Sequence, residues 1–214
     1  DGKTDIAVFR DGNWYVLQSS NSAFRAVQFG SAGDIPQAAD FDGDVKADFG
    51  VFRPSDGTWY LLKSTEGVSA FNFGIATDNP VAADDDGDTK ADIAVYRDGN
   101  WYIQQSQGGF KAVGFGVSGD KPVMGDFDGD NKADVSVFRN GIWYQLNSTT
   151  GFAAVSFGSV GDVPVYGDYD GDGKDDVAVF RPSNGVWYYL RSSNASLGAD
   201  AFGISTDLPT PAAF

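Results

Sequence analysis

The chain has 214 residues, with 29 Asp against a single Glu (Glu66), 15 Lys plus Arg, and neither His nor Cys, for a formal charge of −15. This excludes a disulfide framework, a thiol nucleophile, an imidazole base and the common zinc sites, and the acidity argues against nucleic acid as a partner, which needs a basic surface. No apolar run approaches the roughly 20 residues of a membrane-inserted helix; no signal peptide is recognisable, so any export signal would lie outside this sequence.

From the N-terminus, the first apolar run is 5–10 (Asp-Ile-Ala-Val-Phe-Arg), followed by Trp14-Tyr15 and a segment closing on Phe29-Gly30. All three markers return. The Asp-to-Arg run recurs at 48–53, 92–97, 134–139 and 176–181, Trp-Tyr at 59–60, 101–102, 143–144 and 187–188, and Phe-Gly at 73–74, 115–116, 157–158 and 202–203. Within one unit the pattern is β throughout. In 78–116, the runs 80–84, 93–97, 101–106 and 110–115 are rich in β-branched and aromatic residues. Asp98-Gly99-Asn100 supplies a hairpin turn tolerant of positive φ. Four short strands per repeat of roughly 42 residues is the period of a propeller blade. The expectation is therefore an all-β, five-bladed β-propeller with four antiparallel strands per blade. Its blades are 207–214 plus 1–30, 34–74, 78–116, 120–158 and 162–203, the C-terminal strand joining the N-terminal blade to close the ring. Seven blades would require a longer parent chain.

The Asp excess falls in four segments reading Asp-x-Asp-Gly-Asp-x-Lys-x-Asp, at 40–48, 84–92, 126–134 and 168–176. Positions 1, 3, 5 and 9 are Asp40, Asp42, Asp44 and Asp48; Asp84, Asp86, Asp88 and Asp92; Asp126, Asp128, Asp130 and Asp134; and Asp168, Asp170, Asp172 and Asp176. Calcium takes six to eight oxygens, and closely spaced short carboxylates supply them, usually with a main-chain carbonyl at position 7. That position is Lys46, Lys90, Lys132 or Lys174, each expected to give its main-chain oxygen while its side chain points to solvent. A carboxylate cage suits Ca²⁺ better than the smaller, octahedral Mg²⁺. About four Ca²⁺ would reduce the formal charge to −7. A solvated acidic turn is the alternative for any one loop; the repetition in register favours metal.

These loops, the Phe-Gly pairs, and the Gly-Asp-x-Pro or Thr-Asp-x-Pro that follows them at 33–36, 77–80, 119–122, 161–164 and 206–209 resemble the FG-GAP/VCBS type of propeller repeat, related to the integrin α-subunit head. The resemblance covers nearly the whole chain. It implies Ca²⁺ in the loop between the first and second strands of a blade, and an extracellular or cell-surface setting in adhesion or ligand binding, lectins included. The family usually places Gly at loop position 6. Gly173 conforms and Asn131 is tolerable there, whereas Val45 and Thr89 depart, so 168–176 and 126–134 match best. The split fifth loop offers only Asp1 and Asp5, with Ala213 in place of its first Asp, and is expected to be empty.

Arg10, Arg53, Arg97, Arg139 and Arg181 end the second strands, and Asp34, Asp78, Asp120, Asp162 and Asp207 lie in the connections at the same rim, opposite the loops. They read either as Arg–Asp latches or as a ligand face of five Arg. The Trp-Tyr pairs read as core packing; an exposed one would be a sugar platform. Two sequons are present, Asn147-Ser-Thr149 and Asn194-Ala-Ser196. The function expected is a non-catalytic, extracellular calcium-binding module for a glycan or an extracellular protein. The alternatives are a structural spacer of a larger secreted protein and, below it, a polysaccharide-active enzyme. That enzyme would need a specialised carboxylate pair, which no blade displays.

Overall fold

The computed structural model describes residues 3–210 and 212. Among them there are strands and turns but no helix. In chain order the strands are β1 (Ile6–Arg10), β2 (Asn13–Leu17), β3 (Phe24–Gln28), β4 (Ile35–Ala39), β5 (Asp48–Arg53), β6 (Thr58–Lys63), β7 (Gly67–Asn72), β8 (Asn79–Ala83), β9 (Asp92–Arg97), β10 (Asn100–Gln105), β11 (Gly109–Gly114), β12 (Lys121–Gly125), β13 (Asp134–Arg139), β14 (Ile142–Asn147), β15 (Gly151–Ser156), β16 (Val163–Gly167), β17 (Asp176–Arg181), β18 (Val186–Leu190), β19 (Leu197–Ala201) and β20 (Leu208–Pro209). They form five antiparallel four-stranded sheets, each of four consecutive strands except one ordered β20-β1-β2-β3. This is a five-bladed β-propeller. Leu208 and Pro209 pair with Phe9 and Val8, and Asp5 bridges Ala212, so the split blade is assembled from both ends of the chain. Asp1, Ala213 and the rest of the expected closing strand at 211 and 214 lie outside the described residues.

Turn chemistry fixes the hairpins. Asp98 and Gly99 both adopt positive φ (49° and 86°), the geometry a two-residue turn between right-twisted strands demands. Asp11-Gly12 and Asn140-Gly141 repeat it.

No blade has a core of its own. Five apolar clusters each straddle two neighbours: Phe9 and Trp14 with Phe49 and Val51, Phe52 and Trp59 with Ala82 and Val95, Trp101 and Ile103 with Met124 and Val135, Trp143 with Val177 and Val179, and Trp187 and Phe180 with Ile6 and Val8. The last joins the final blade to the first. All five Trp are fully buried, and each indole N–H donates to the carbonyl of the Phe in its own Phe-Gly pair, at 2.8–3.1 Å. Alternation along the strand sends the following Tyr to the opposite face, against the preceding blade. The Trp-Tyr pairs are packing residues.

Candidate metal centres

Each acidic loop links the innermost strand of a blade to the second, at one rim of the ring. Positions 1, 3 and 9 converge: Asp40, Asp42 and Asp48; Asp84, Asp86 and Asp92; Asp126, Asp128 and Asp134; Asp168, Asp170 and Asp176 each bring one carboxylate oxygen within 4.8 Å of the others. The loop is wound around its first residue. Asp126 Oδ1 accepts from the N–H of Gly129 (2.6 Å) and Asp130 (3.1 Å), and its Oδ2 from Asn131 (2.8 Å). Position 9 is buried and ties the loop to the outer hairpin of the blade: Asp134 accepts from Phe127 N–H (3.0 Å) and Ser148 N–H (2.6 Å). Asp48, Asp92 and Asp176 repeat both bonds. Asp5 makes the hairpin bond, to Ser19. It belongs to no triad among the described residues.

These carboxyls sit uneasily without a cation. Burial pushes Asp92 and Asp134 up to about 6 and raises Asp48, Asp84 and Asp176 above the ordinary carboxylate range, with neighbouring carboxylates adding to it. More telling, Oδ1 of Asp42, Asp128 and Asp170, the position-3 residues of three loops, is buried with no hydrogen-bond partner. Buried polar oxygens are rarely left so. A hard cation ringed by carboxylates would satisfy them, and the all-oxygen donor set fits calcium.

Two features of these loops go beyond the triads. Asp44, Asp88, Asp130 and Asp172 are not gathered into the triads. Each accepts from the backbone N–H of the Lys two residues on and from a hairpin Ser hydroxyl: Ser64, Ser106, Ser148 or Ser192. The Lys side chains do not all simply point to solvent. A Cβ on Gly43, Gly87 or Gly129 would meet Lys90, Lys132 or Lys174 of the next blade within 3.3 Å, and Lys174 Nζ donates to Asp128 O at 2.9 Å. The loops are thus strapped together around the rim. Backbone bonds reinforce the straps, from Ala91 to Asp40 (2.6 Å), Ala133 to Asp84 (2.6 Å), Asp175 to Asp126 (2.7 Å) and Thr4 to Asp168 (2.9 Å). Position 6 is left-handed in all four loops, at φ 68° (Val45), 75° (Thr89), 65° (Asn131) and 87° (Gly173). Val45 and Thr89 adopt the shape of the better-matching loops at the cost of β-branched strain.

At the opposite rim every expected Arg is in a latch. Arg10–Asp207, Arg53–Asp34, Arg97–Asp78, Arg139–Asp120 and Arg181–Asp162 are bidentate pairs through Nε and Nη2, with nearly buried carboxylates. Each guanidinium also lies over the Tyr of its own blade, 4.4–5.3 Å from the ring centre. The latch reading is the one the geometry supports for these Arg; their Nε–Nη2 edges are not presented as a ligand face. The exposed aromatics lie elsewhere, at Phe24, Phe110 and Phe152 in equivalent places on the outermost strands, and at Phe71 on β7. The sequence signal was available for the first three, since each follows a polar turn and opens its strand.

On the axis at the loop rim lies a basin, a cavity of about 660 Å³ walled by Ala38, Ala47, Ala82 and Ala91 and reaching Tyr166 and Asp175. A smaller one of about 380 Å³ shares both of the last two residues. Tyr166 spans the ring, donating its hydroxyl to Ala82 O at 3.2 Å. Burial pushes the Asp175 carboxyl up to about 7.

No family model and no curated protein matches the chain. Solved structures do, as propellers. Virginiamycin B lyase from Staphylococcus aureus superposes with TM-score 0.51 at 8% identity, over 94% of this chain and 71% of the lyase. An Agrocybe aegerita lectin, described as recognising non-reducing terminal N-acetylglucosamine, gives TM-score 0.51 at 14% identity, over 94% of this chain and 63% of the lectin. At such identities the likeness concerns the fold alone. Together, fold and loops define a propeller with four acidic clusters able to hold metal ions.

Proposed function

We propose that the protein is a calcium-binding, non-catalytic propeller acting as a binding module for glycans or an extracellular protein, in a secreted or cell-surface setting where calcium is millimolar. The observation that carries the metal part is the buried, unpartnered Oδ1 of Asp42, Asp128 and Asp170 inside three of four identical triads. The resemblance to FG-GAP/VCBS repeats supports the same ion. The ligand part rests on less: a glycan-recognising lectin shares the fold, and Phe24, Phe110 and Phe152 offer flat apolar faces at the perimeter. The repetition of the loops from blade to blade favours a binding or structural role for them over bond cleavage, which needs one specialised carboxyl pair.

Calorimetric titration of chelator-treated protein with CaCl₂ tests the first part. Four equivalents of uptake are expected; no uptake overturns it. A glycan array probed with and without calcium tests the second, where consistent silence would favour a structural spacer.

A further inference from the structure

Five near-copies of one unit provide an internal reference: a residue that departs from its counterparts is one the fold does not demand. Two departures meet at the axis. Tyr166 stands where the other inner strands carry Ala38, Ala82 and Met124, and Asp175 stands at loop position 8, where the counterparts are Thr4, Ala47, Ala91 and Ala133. Both reach into the space above Gly125, where a Cβ would lie 2.6 Å from the Tyr166 ring and 2.7 Å from Asp175 Oδ2.

Their setting is a container. Tyr166 floors the axial basin and separates it from the narrow channel below, lined by Pro36, Pro80, Pro122, Pro164 and Pro209. The basin is of a size that takes a small molecule. Most of its other carboxylates are already accounted for: Asp40, Asp84 and Asp168 sit in triads and Asp5 holds Ser19. Asp175 is in no triad. Its Oδ2 accepts from Asp126 N–H at 2.8 Å, and no donor to its Oδ1 is seen among the described residues.

We propose that this axial basin binds a small organic cation whose primary ammonium pairs with Asp175 and whose body lies on the alanine walls. A charge-assisted bond to a half-partnered carboxylate supplies the anchor, and the surrounding Asp loops bias the basin toward positive solutes. The inference rests on the binding-module reading only in assigning the module a ligand; it requires neither glycan specificity nor the perimeter Phe residues.

The test is calorimetry in saturating CaCl₂ near neutral pH, where the amine of glucosamine is mostly protonated, with glucosamine as the probe and N-acetylglucosamine and glucose as its uncharged counterparts. One equivalent of glucosamine per chain is expected, with far weaker uptake of the other two. Asp175→Asn should weaken it about 10–100-fold, the range of a lost charged hydrogen bond. Asp175→Ala installs the residue of three sister loops, so its fold is secured by precedent, and it should do the same. Asp56→Asn, in the turn between β5 and β6 at the opposite rim, should leave affinity within about 3-fold, less than one such bond. Equal uptake of all three sugars, no uptake of glucosamine, or full affinity in both Asp175 variants would overturn the proposal. A glycan-array signal with no glucosamine uptake would overturn the basin while leaving the module reading standing. Glucosamine uptake with a silent array would support the basin and count against glycan specificity.

Discussion

The two rims of the ring use the same residue in opposite ways. At the latch rim each Asp has its cation built into the chain, a bidentate Arg of the same blade stacked on a Tyr, and the carboxylate also accepts the N–H three residues before it, as Asp78 does from Ile75. At the loop rim three carboxylates converge with no Lys or Arg among them, and the nearby Lys174 bridges to a backbone carbonyl of the neighbouring loop instead. The contrast teaches that charge within one blade is complete on one side and deliberately incomplete on the other. One rim is finished by folding, and the other brings together carboxylates that could hold an ion.

The sharpest way to break this comparison is to remove the ion. A site held at about 100 times its dissociation constant contributes about 2.7 kcal/mol, and four such sites together about 10 kcal/mol. EGTA should therefore lower the melting temperature by about 20 °C or more, and an unmoved melting curve would end the distinction between the rims. Next comes the latch. Arg97→Ala leaves the buried Asp78 carboxylate without its partner and should cost about 3 kcal/mol, measured by urea unfolding. The loss should be the same with and without calcium; a calcium-dependent loss would mean that the rims are coupled.

Smaller effects sharpen the loop side. Val45→Gly and Thr89→Gly relieve a left-handed β-branched residue and should each stabilise by about 1 kcal/mol, while the already glycine-bearing loop at 168–176 has nothing to gain. Destabilisation by either change would show that the side chain matters more than the backbone. The smallest effect is in pH. Asp92 and Asp134 are raised to about 6 by burial, above their unfolded value of about 3.9. Raised carboxyls make the ion-free native state less stable as pH rises between those values, because the unfolded chain ionises first. Protons also compete with the ion. The melting-temperature gap between calcium-loaded and chelated protein should thus narrow as pH falls from about 7.5 to about 5; a gap constant across that range would contradict the burial of these groups.

The ring, its five blades and the gathering of carboxylates in four loops were legible in the sequence because they depend on local pattern: strand alternation, Asp-Gly turns and the spacing of carboxylates within nine residues. The latches were legible as pairs but not as a choice between two roles. Contacts between blades were not legible. Lys132 lying along Gly87, Asp175 meeting Asp126 and Tyr166 reaching Ala82 join residues roughly a blade or two apart, and no local rule places them. The exclusion of position 5 from the triads is of the same kind, set by a hairpin Ser some 18–20 residues further on.

The short closing strand bears on how the molecule would carry load. Among the described residues, the closing segment holds the split blade through Val8 paired with Pro209, Phe9 with Leu208, the Thr210 N–H to Ala7 carbonyl bond and the Asp5–Ala212 bridge. The apolar clusters are shared between neighbours, so parting this clasp strips one wall from the seam between the last blade and the first. Tension transmitted through the two ends of the propeller would act on that seam before any other. The ring is a band with one seam joined by both ends of the chain, where the other four blades are each made of one continuous stretch.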